Sequence, residues 1–419
     1  MNQRRVVVTG LGVISPVGND VQTFWKNILD GVCGIDVIRS IDTDDLPVKI
    51  AGEVKDFNPL EYGMGPAFAR KQDKFTVYAV AAARQAVLQA GIIAAEDGNM
   101  DPFRLGVYVG SGVGGFATIV REAEKLLTEG SRWVSPHLIP SMISNIAAGN
   151  IAIRHNACGP CLPVSSACAT STHAIGEAYR AIRHGYADAV IAGGAEAPIV
   201  PLAIAGFANA KALSKARNPK YASLPFNRNR SGFVMGEGAA MLVLEEYEHA
   251  RSRGAEILAE VCGYGNTCDA CHLTVPRPDG KTQAAAMRMA LDEARHTSDD
   301  TLYINAHGTG TVLNDTSETN TLKLALGNEV HKAHISSIKG AVGHMLGAAG
   351  AVEAVTCVLA LKAGIVPPTI NLDDPDPECD LNYTPNTPVR ADLTMAISNS
   401  LGFGGHNGCL AFRKYPSDI

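Results

Sequence analysis

Short apolar runs recur along this chain, and stretches long enough for a helix separate most of them. Parallel neighbours in a sheet need a crossover between them, and helices supply it. The pattern therefore predicts an α/β protein whose sheets are covered by helices. Strands are expected at Val6–Thr9, Gly106–Val109, Val164–Ala167, Ala189–Ala192 and Ala239–Leu244. Further along they are expected at Ile257–Cys262, Leu302–Ala306, Leu393–Ser398 and Gly408–Phe412. Long helices are expected over Arg70–Ala90, Ser171–Arg183, Thr282–Glu293 and Leu346–Ala363. Glycine follows two of them closely, at Gly185 and Gly364, as helix ends prefer.

The second half echoes the first. The opening RRVVVTGLG, residues 4–12, has a loose counterpart in AEVCGYG, residues 259–265, and the polar stretch YEHARSRG, residues 247–254, lies between them. Two similar halves are expected, 1–254 and 255–419. A chain of 419 residues also exceeds one ordinary single-core domain.

Charge removes several function classes. The net charge is −6, which leaves no basic footprint for nucleic acid. The apolar part of the N-terminus is too short for a signal peptide. No stretch reaches the ~18 to 20 uninterrupted apolar residues of a spanning helix, because Glu353 breaks the best candidate, Leu346–Leu361. A cytoplasmic protein is expected, without membrane or nucleic-acid partners.

Ten cysteines then need assignment. Cys158-Gly159-Pro160-Cys161 spells a redox motif and Cys268-Asp269-Ala270-Cys271-His272 a haem-attachment motif. A redox thiol belongs at the mouth of a helix, whereas Leu162-Pro163-Val164 looks like entry to a strand. Haem attachment requires export. The two pairs lie too far apart in sequence for a zinc ribbon. Gly110-Ser111-Gly112-Val113-Gly114-Gly115 matches a dinucleotide fingerprint, but no acidic residue closes a second strand at the required distance, so a tight packing turn is the preferred reading.

Cys168 is different. It stands where an extended run ends and the helix Ser171–Arg183 begins, among the small residues Ser165, Ser166, Ala167, Ala169 and Thr170. A helix N-terminus stabilises a thiolate, and its free N–H groups can hold an oxyanion. A buried structural cysteine fits that segment equally well. Of twelve histidines, two have settings unlike a charged helix face. His307 lies in NAHGTGT just past an apolar run, and His344 lies in KGAVGH before a helix rich in alanine and glycine. Lys339 and Glu353 flank His344. Near the C-terminus, Ser398 to Gly408 spells SNSLGFGGHNG, a glycine-rich loop around Phe403 that suits a mobile gate or a hairpin.

Taken in order, Ser166-Ala167-Cys168, Ala306-His307-Gly308-Thr309-Gly310-Thr311, Lys339-Gly340-Ala341-Val342-Gly343-His344 and Gly402-Phe403-Gly404-Gly405-His406-Asn407 resemble the β-ketoacyl-[acyl-carrier-protein] synthases of type II bacterial fatty acid synthesis, most of all the elongating synthase II. The resemblance covers essentially the whole chain, including VVVTGLGVISPVGN, DAVIAGGAEAPI and RSGFVMGEGAAMLVLEE. It implies a thiolase fold of two similar halves in five layers, α-β-α-β-α, and a homodimer. It implies a decarboxylative Claisen condensation of an acyl thioester with malonyl carrier protein. Cys168 is then the nucleophile, and His307 and His344 serve decarboxylation and the enolate. Lys339, with Glu353, sets the electrostatics, and the N–H groups of Cys168 and Phe403 form the oxyanion hole. Thr274, Thr309 and Thr311 match positions near the pantetheine tunnel, and Val113 and Phe207 match the acyl pocket. Acyl carrier protein is the implied partner; its phosphopantetheine arrives with the substrate, and no cofactor or metal is implied.

Leu401 stands where phenylalanine is common in that family and Cys271 where tyrosine is common, which leaves the catalytic groups intact. Two other readings use the same fold. A polyketide or specialised-lipid ketosynthase would run the same chemistry on another chain. A non-catalytic chain-length partner would usually lack the active cysteine.

Overall fold

The computed structural model describes residues 4–416. Ten strands build the main sheet assembly: β1 (Val6–Ile14), β2 (Leu105–Gly110), β3 (Cys161–Leu162), β4 (Ala189–Glu196), β5 (Gly238–Glu246), β6 (Ala259–Cys268), β7 (Leu302–Asn305), β8 (His334–Ser336), β9 (Met395–Gly402) and β10 (His406–Lys414). Their spatial order is β8-β7-β9-β10-β6-β1-β5-β4-β2-β3. Read outward from the centre, β6-β10-β9-β7-β8 repeats β1-β5-β4-β2-β3 strand for strand, so the echo in the sequence is an echo in topology. The halves meet where Val6–Val8 pairs antiparallel with Ala259–Val261.

Five helices set the layers: α1 (Lys74–Ala90), α2 (Thr170–Arg183), α3 (Lys281–Glu293), α4 (Val312–Leu326) and α5 (Ala349–Ala363). α1 covers the outer face of the first half, and α3 covers that of the second. α2 and α5 lie between the two sheets and touch strands of both. One apolar cluster joins this middle layer to both sheets through Ile175, Tyr179, Val352, Val355, Leu242, Leu244, Leu410 and Phe412. The result is the expected five-layer α-β-α-β-α arrangement. Leu346–Ala363 is long and apolar enough to cross a membrane, yet 83% of it is buried inside the protein, which makes it a core helix.

Two expected elements differ. Residues 164–167 carry no sheet pairing; the edge strand is β3, parallel to β2. Pro163 lacks the N–H that pairing would use, so the ladder stops before it. The helix expected over Arg70–Ala90 is broken, with a short helix Pro66–Lys71 ending before Asp73 caps α1 through its carboxylate and Phe75 N–H. The first CxxC pair runs into strand β3 rather than a helix, and all ten cysteines are free.

Strand glycines let the outer helices approach each sheet. A Cβ at Gly12 on β1 would lie 1.9 Å from Ala82 O of α1, and one at Gly265 on β6 would lie 1.8 Å from Ala286 O of α3. Backbone cannot yield as a flexible side chain does. Gly12→Ala and Gly265→Ala are each expected to lower stability by about 1–3 kcal/mol, read as a lower denaturant midpoint.

Candidate active site

The functional residues cluster where the middle helices begin. Cys168 sits in a single tight turn, Ala167–Ala169, that feeds directly into α2. The start of α5 lies beside it: Ala351 N–H donates to Ser171 Oγ at 2.8 Å. His307 follows β7, and its main chain is fixed by a buried carboxylate. Glu318 on α4 accepts from His307 N at 2.7 Å, Gly308 N at 2.8 Å and Asn399 Nδ2 at 2.8 Å. The backbone of His344 is clamped to the first half, donating to Val234 O at 2.7 Å and accepting from Gly236 N at 2.8 Å. The two imidazoles stand edge to face with centroids 5.2 Å apart, and Phe233 packs edge-on against His344 at 5.1 Å.

A cavity of about 290 Å³ opens onto this cluster. Cys168, His307, His344 and Phe403 line it, together with Phe207, Thr274, Thr309 and Thr311. Lys339 lies behind the histidines, donating to His307 O at 2.5 Å and pairing with Glu353. Both members of that ion pair are buried. Glu353 does not line the cavity and is the buried counter-ion of Lys339, the pairing that the resemblance implies. Val113 is 43% exposed and does not line this cavity; its loop is held by a second buried acid. Ser111 Oγ at 2.7 Å, Gly112 N at 2.7 Å and Val113 N at 3.3 Å all donate to Glu196 at the end of β4. The N–H groups that a dinucleotide phosphate would need are thus taken by an internal carboxylate. Gly347 N, from the second half, donates to the same carboxylate at 3.0 Å.

Burial decides the protonation states. Desolvation, then the positive charges of Lys339 and a neighbouring imidazole, push His307 well below the ordinary histidine range. Desolvation and Lys339 do the same to His344. Two neutral imidazoles can each donate one hydrogen bond into the cavity without carrying charge. Burial also pushes Glu353 up to about 7 against the pull of Lys339. The thiol differs from expectation. Burial raises Cys168 to about 12, outweighing Lys339 and the Phe403 backbone N–H, which both favour the thiolate. The helix terminus alone does not ionise it, and the resting thiol is neutral.

Sequence reasoning missed Glu196 and Glu318. Each is an acid beside a small-residue loop, a common pattern, and only the fold shows that the carboxylates are buried against backbone N–H groups.

A thiol at a helix mouth, faced by two neutral imidazoles on a duplicated thiolase-type fold, defines a condensing enzyme that works through an acyl-thioester intermediate. The chain belongs to the β-ketoacyl synthase family: the N-terminal domain model matches residues 3–250 and the C-terminal domain model residues 258–373. It is 47% identical over 414 residues to a 3-oxoacyl-[acyl-carrier-protein] synthase 2 of Staphylococcus aureus (strain N315), covering 99% of each chain. It is 45% identical over 416 residues to the protein of the same description from Synechocystis sp., again covering 99% of each. Among solved structures it superposes with a TM-score of 0.90, at 34% identity and covering 99% of this chain and 100% of the other, on a chain from a complex of a type II polyketide acyl-carrier protein with its hexaketide-bound ketosynthase.

A thiol titrating near 12 gains thiolate tenfold per pH unit across the accessible range. Alkylation of Cys168 by iodoacetamide is expected to climb about tenfold per unit from pH 7 to pH 9, with no plateau, in rates followed by mass spectrometry of the Cys168 peptide.

Proposed function

We propose that this chain extends acyl groups by decarboxylative condensation with malonyl-[acyl-carrier-protein], as an elongating β-ketoacyl-[acyl-carrier-protein] synthase II. The observation that carries the assignment of roles is one cavity that brings the Cys168 thiol together with the neutral imidazoles of His307 and His344, over a buried lysine–glutamate pair.

In the first stage the sulfur of Cys168 attacks the thioester carbonyl of acyl carrier protein. The new C–S bond forms, the old one breaks, and the thiol proton passes to the departing pantetheine thiolate. In the second stage malonyl carrier protein occupies the cavity. Its carboxylate leaves as carbon dioxide, and the electron pair of the broken C–C bond passes into an enolate. His307 and His344 donate hydrogen bonds to the enolate oxygen, and as neutral groups they do so without ion-pairing the departing carboxylate. The enolate carbon then attacks the Cys168 thioester. The tetrahedral oxygen lies between the N–H groups of Cys168 and Phe403, and the latter already points at the sulfur in the resting site. Collapse releases the β-ketoacyl thioester on carrier protein. Cys168 leaves as thiolate and takes up one proton, balancing the charge lost with carbon dioxide. Lys339 holds the His307 carbonyl and keeps both imidazoles neutral, and Glu353 offsets its charge. The decarboxylation itself supplies the carbanion, so the scheme has no cofactor.

Lys211, exposed at the cavity wall, is a cation available to an acidic carrier-protein surface. Identity of 45–47% to the two synthases, against 34% to the chain of the polyketide complex, supports fatty acid elongation. The presence of Cys168 together with both histidines argues against a non-catalytic partner. We further propose the divisions 1–254 and 255–419, a cytoplasmic location and a homodimer. The edge strand β3 leaves one side unpaired, and Leu162 (50% exposed) and Tyr186 (70% exposed) line the groove beside it. Edge strands of this kind pair readily with a second copy.

Intact-protein mass spectrometry after incubation with acyl carrier proteins tests the roles. One acyl group on Cys168 is expected, and none on Cys168→Ala. His307→Ala and His344→Ala are expected to load, yet to decarboxylate malonyl carrier protein about a hundredfold to a thousandfold more slowly. Normal condensation by both histidine variants overturns the role assignment. Leu162→Asp is expected to shift the protein from dimer to monomer in light scattering, and an unchanged mass removes β3 from the interface.

A further inference from the structure

Ser166 Oγ lies 2.6 Å from His173 Nδ1, and both residues are buried. No step of the condensation uses either. His173 is on α2, five residues after the nucleophile, and its Nε2 lies 3.3 Å from the carbonyl oxygen of Asn407 on β10. A carbonyl only accepts, so Nε2 carries the ring proton and Nδ1 accepts from the Ser166 hydroxyl. Burial lowers this imidazole to about 4, with the Asn407 carbonyl pulling the other way. The ring is neutral at neutral pH, in keeping with that tautomer.

These bonds grip the turn that presents the thiol. Ala167, between Ser166 and Cys168, has φ of 51°, a left-handed conformation that a side chain adopts only where its surroundings fix it. Three hydrogen bonds on Ser166 do so. Its N–H donates to Thr170 Oγ1 at 2.8 Å, its carbonyl accepts from Ala169 N at 3.1 Å, and its hydroxyl is held by His173. The β9–β10 hairpin closes on the same turn. A Cβ at Gly402 would lie 2.7 Å from Ser166 O and 3.3 Å from Cys168 N, so backbone meets backbone there. Gly402 adjoins Phe403, and Asn407 pairs with Leu401 across the hairpin. At Gly408, next to Asn407, a Cβ would stand 3.0 Å from the His173 ring, so β10 is shaped around the imidazole.

We propose that Ser166 and His173 are positioning residues that tie the nucleophile turn to the β9–β10 hairpin and so fix the spacing of the two oxyanion donors, the N–H groups of Cys168 and Phe403. This inference rests on the condensing-enzyme reading. Acyl loading and condensation need both donors on one carbonyl oxygen. Decarboxylation of malonyl carrier protein relies on His307 and His344 instead. Loss of the link therefore affects the two half-reactions unequally.

The test compares Ser166→Ala, Ser166→Thr, His173→Phe and the double variant Ser166→Ala with His173→Phe. Single-turnover acyl loading is followed by intact mass, malonyl carrier protein decarboxylation is measured in parallel, and thermal unfolding reports folding. Ser166→Ala and His173→Phe are each expected to slow loading about fivefold to tenfold, the size of one lost buried hydrogen bond. The double variant is expected to be no slower than the worse single, since both remove the same link. Ser166→Thr keeps the hydroxyl and is expected to stay within about twofold of the parent. Decarboxylation is expected to fall less than loading in every variant. Parent-like loading by Ser166→Ala overturns the proposal, as does equal loss in Ser166→Thr or equal loss of both half-reactions. If His173→Phe fails to fold, the Ser166→Ala and Ser166→Thr comparison decides alone. A parent protein that accepts no acyl group overturns the condensing-enzyme reading instead, a distinct outcome.

Discussion

Everything at the active site depends on two helices, one from each half, packed between two sheets and starting side by side. Ala351 N–H, in the first turn of α5, is satisfied by Ser171 Oγ in the first turn of α2. Gly350 comes so close that a Cβ there would lie 2.0 Å from Thr172 Oγ1. Helices buried on all sides leave their first N–H groups without water, so partners must come from the other helix or from buried acids. That requirement brings Cys168, at the mouth of α2, next to the loops at the mouth of α5. The duplicated topology makes the arrangement possible, because each half supplies one buried helix and one outer layer.

Burial then governs the chemistry. Glu196 and Glu318 are fully enclosed carboxylates, each satisfied by main-chain N–H groups and a side-chain donor, one in each half. Each pins a loop, the glycine-rich turn at 110–115 in one case and the His307 loop in the other. An unpaired buried donor costs about 1–3 kcal/mol, so the two loops are held by satisfied polar groups rather than by apolar packing. The same dry surroundings keep both histidines neutral, keep the resting thiol protonated, and make Lys339 a local source of positive potential. The site is preorganised for charge that develops during the reaction, with the reacting thiol and both imidazoles neutral at rest.

Much of this was legible in the sequence. Eight of the nine expected strands and all four long helices overlap observed elements, because buried strands and helices of this length have a clear apolar pattern. The unpaired segment 164–167 was the exception. Pro163 has no N–H to donate, so the pairing ends at Leu162. A motif position gives proximity along the chain, whereas the direction of a side chain depends on which buried acid captures the loop and which lysine captures the acid.

The sequence by itself determined the α/β class and the doubling of the chain, since periodicity and internal echo are read along the chain, and its ordered motifs singled out the thiol and imidazoles through their resemblance to a known family. Only the tertiary structure decided that Glu196 and Glu318 are anchors and that Ser166 and His173 bridge the nucleophile turn to the terminal hairpin. These are contacts between residues up to 234 positions apart. Their energies come from the absence of water around them, and that absence exists only once both sheets have closed over the two central helices.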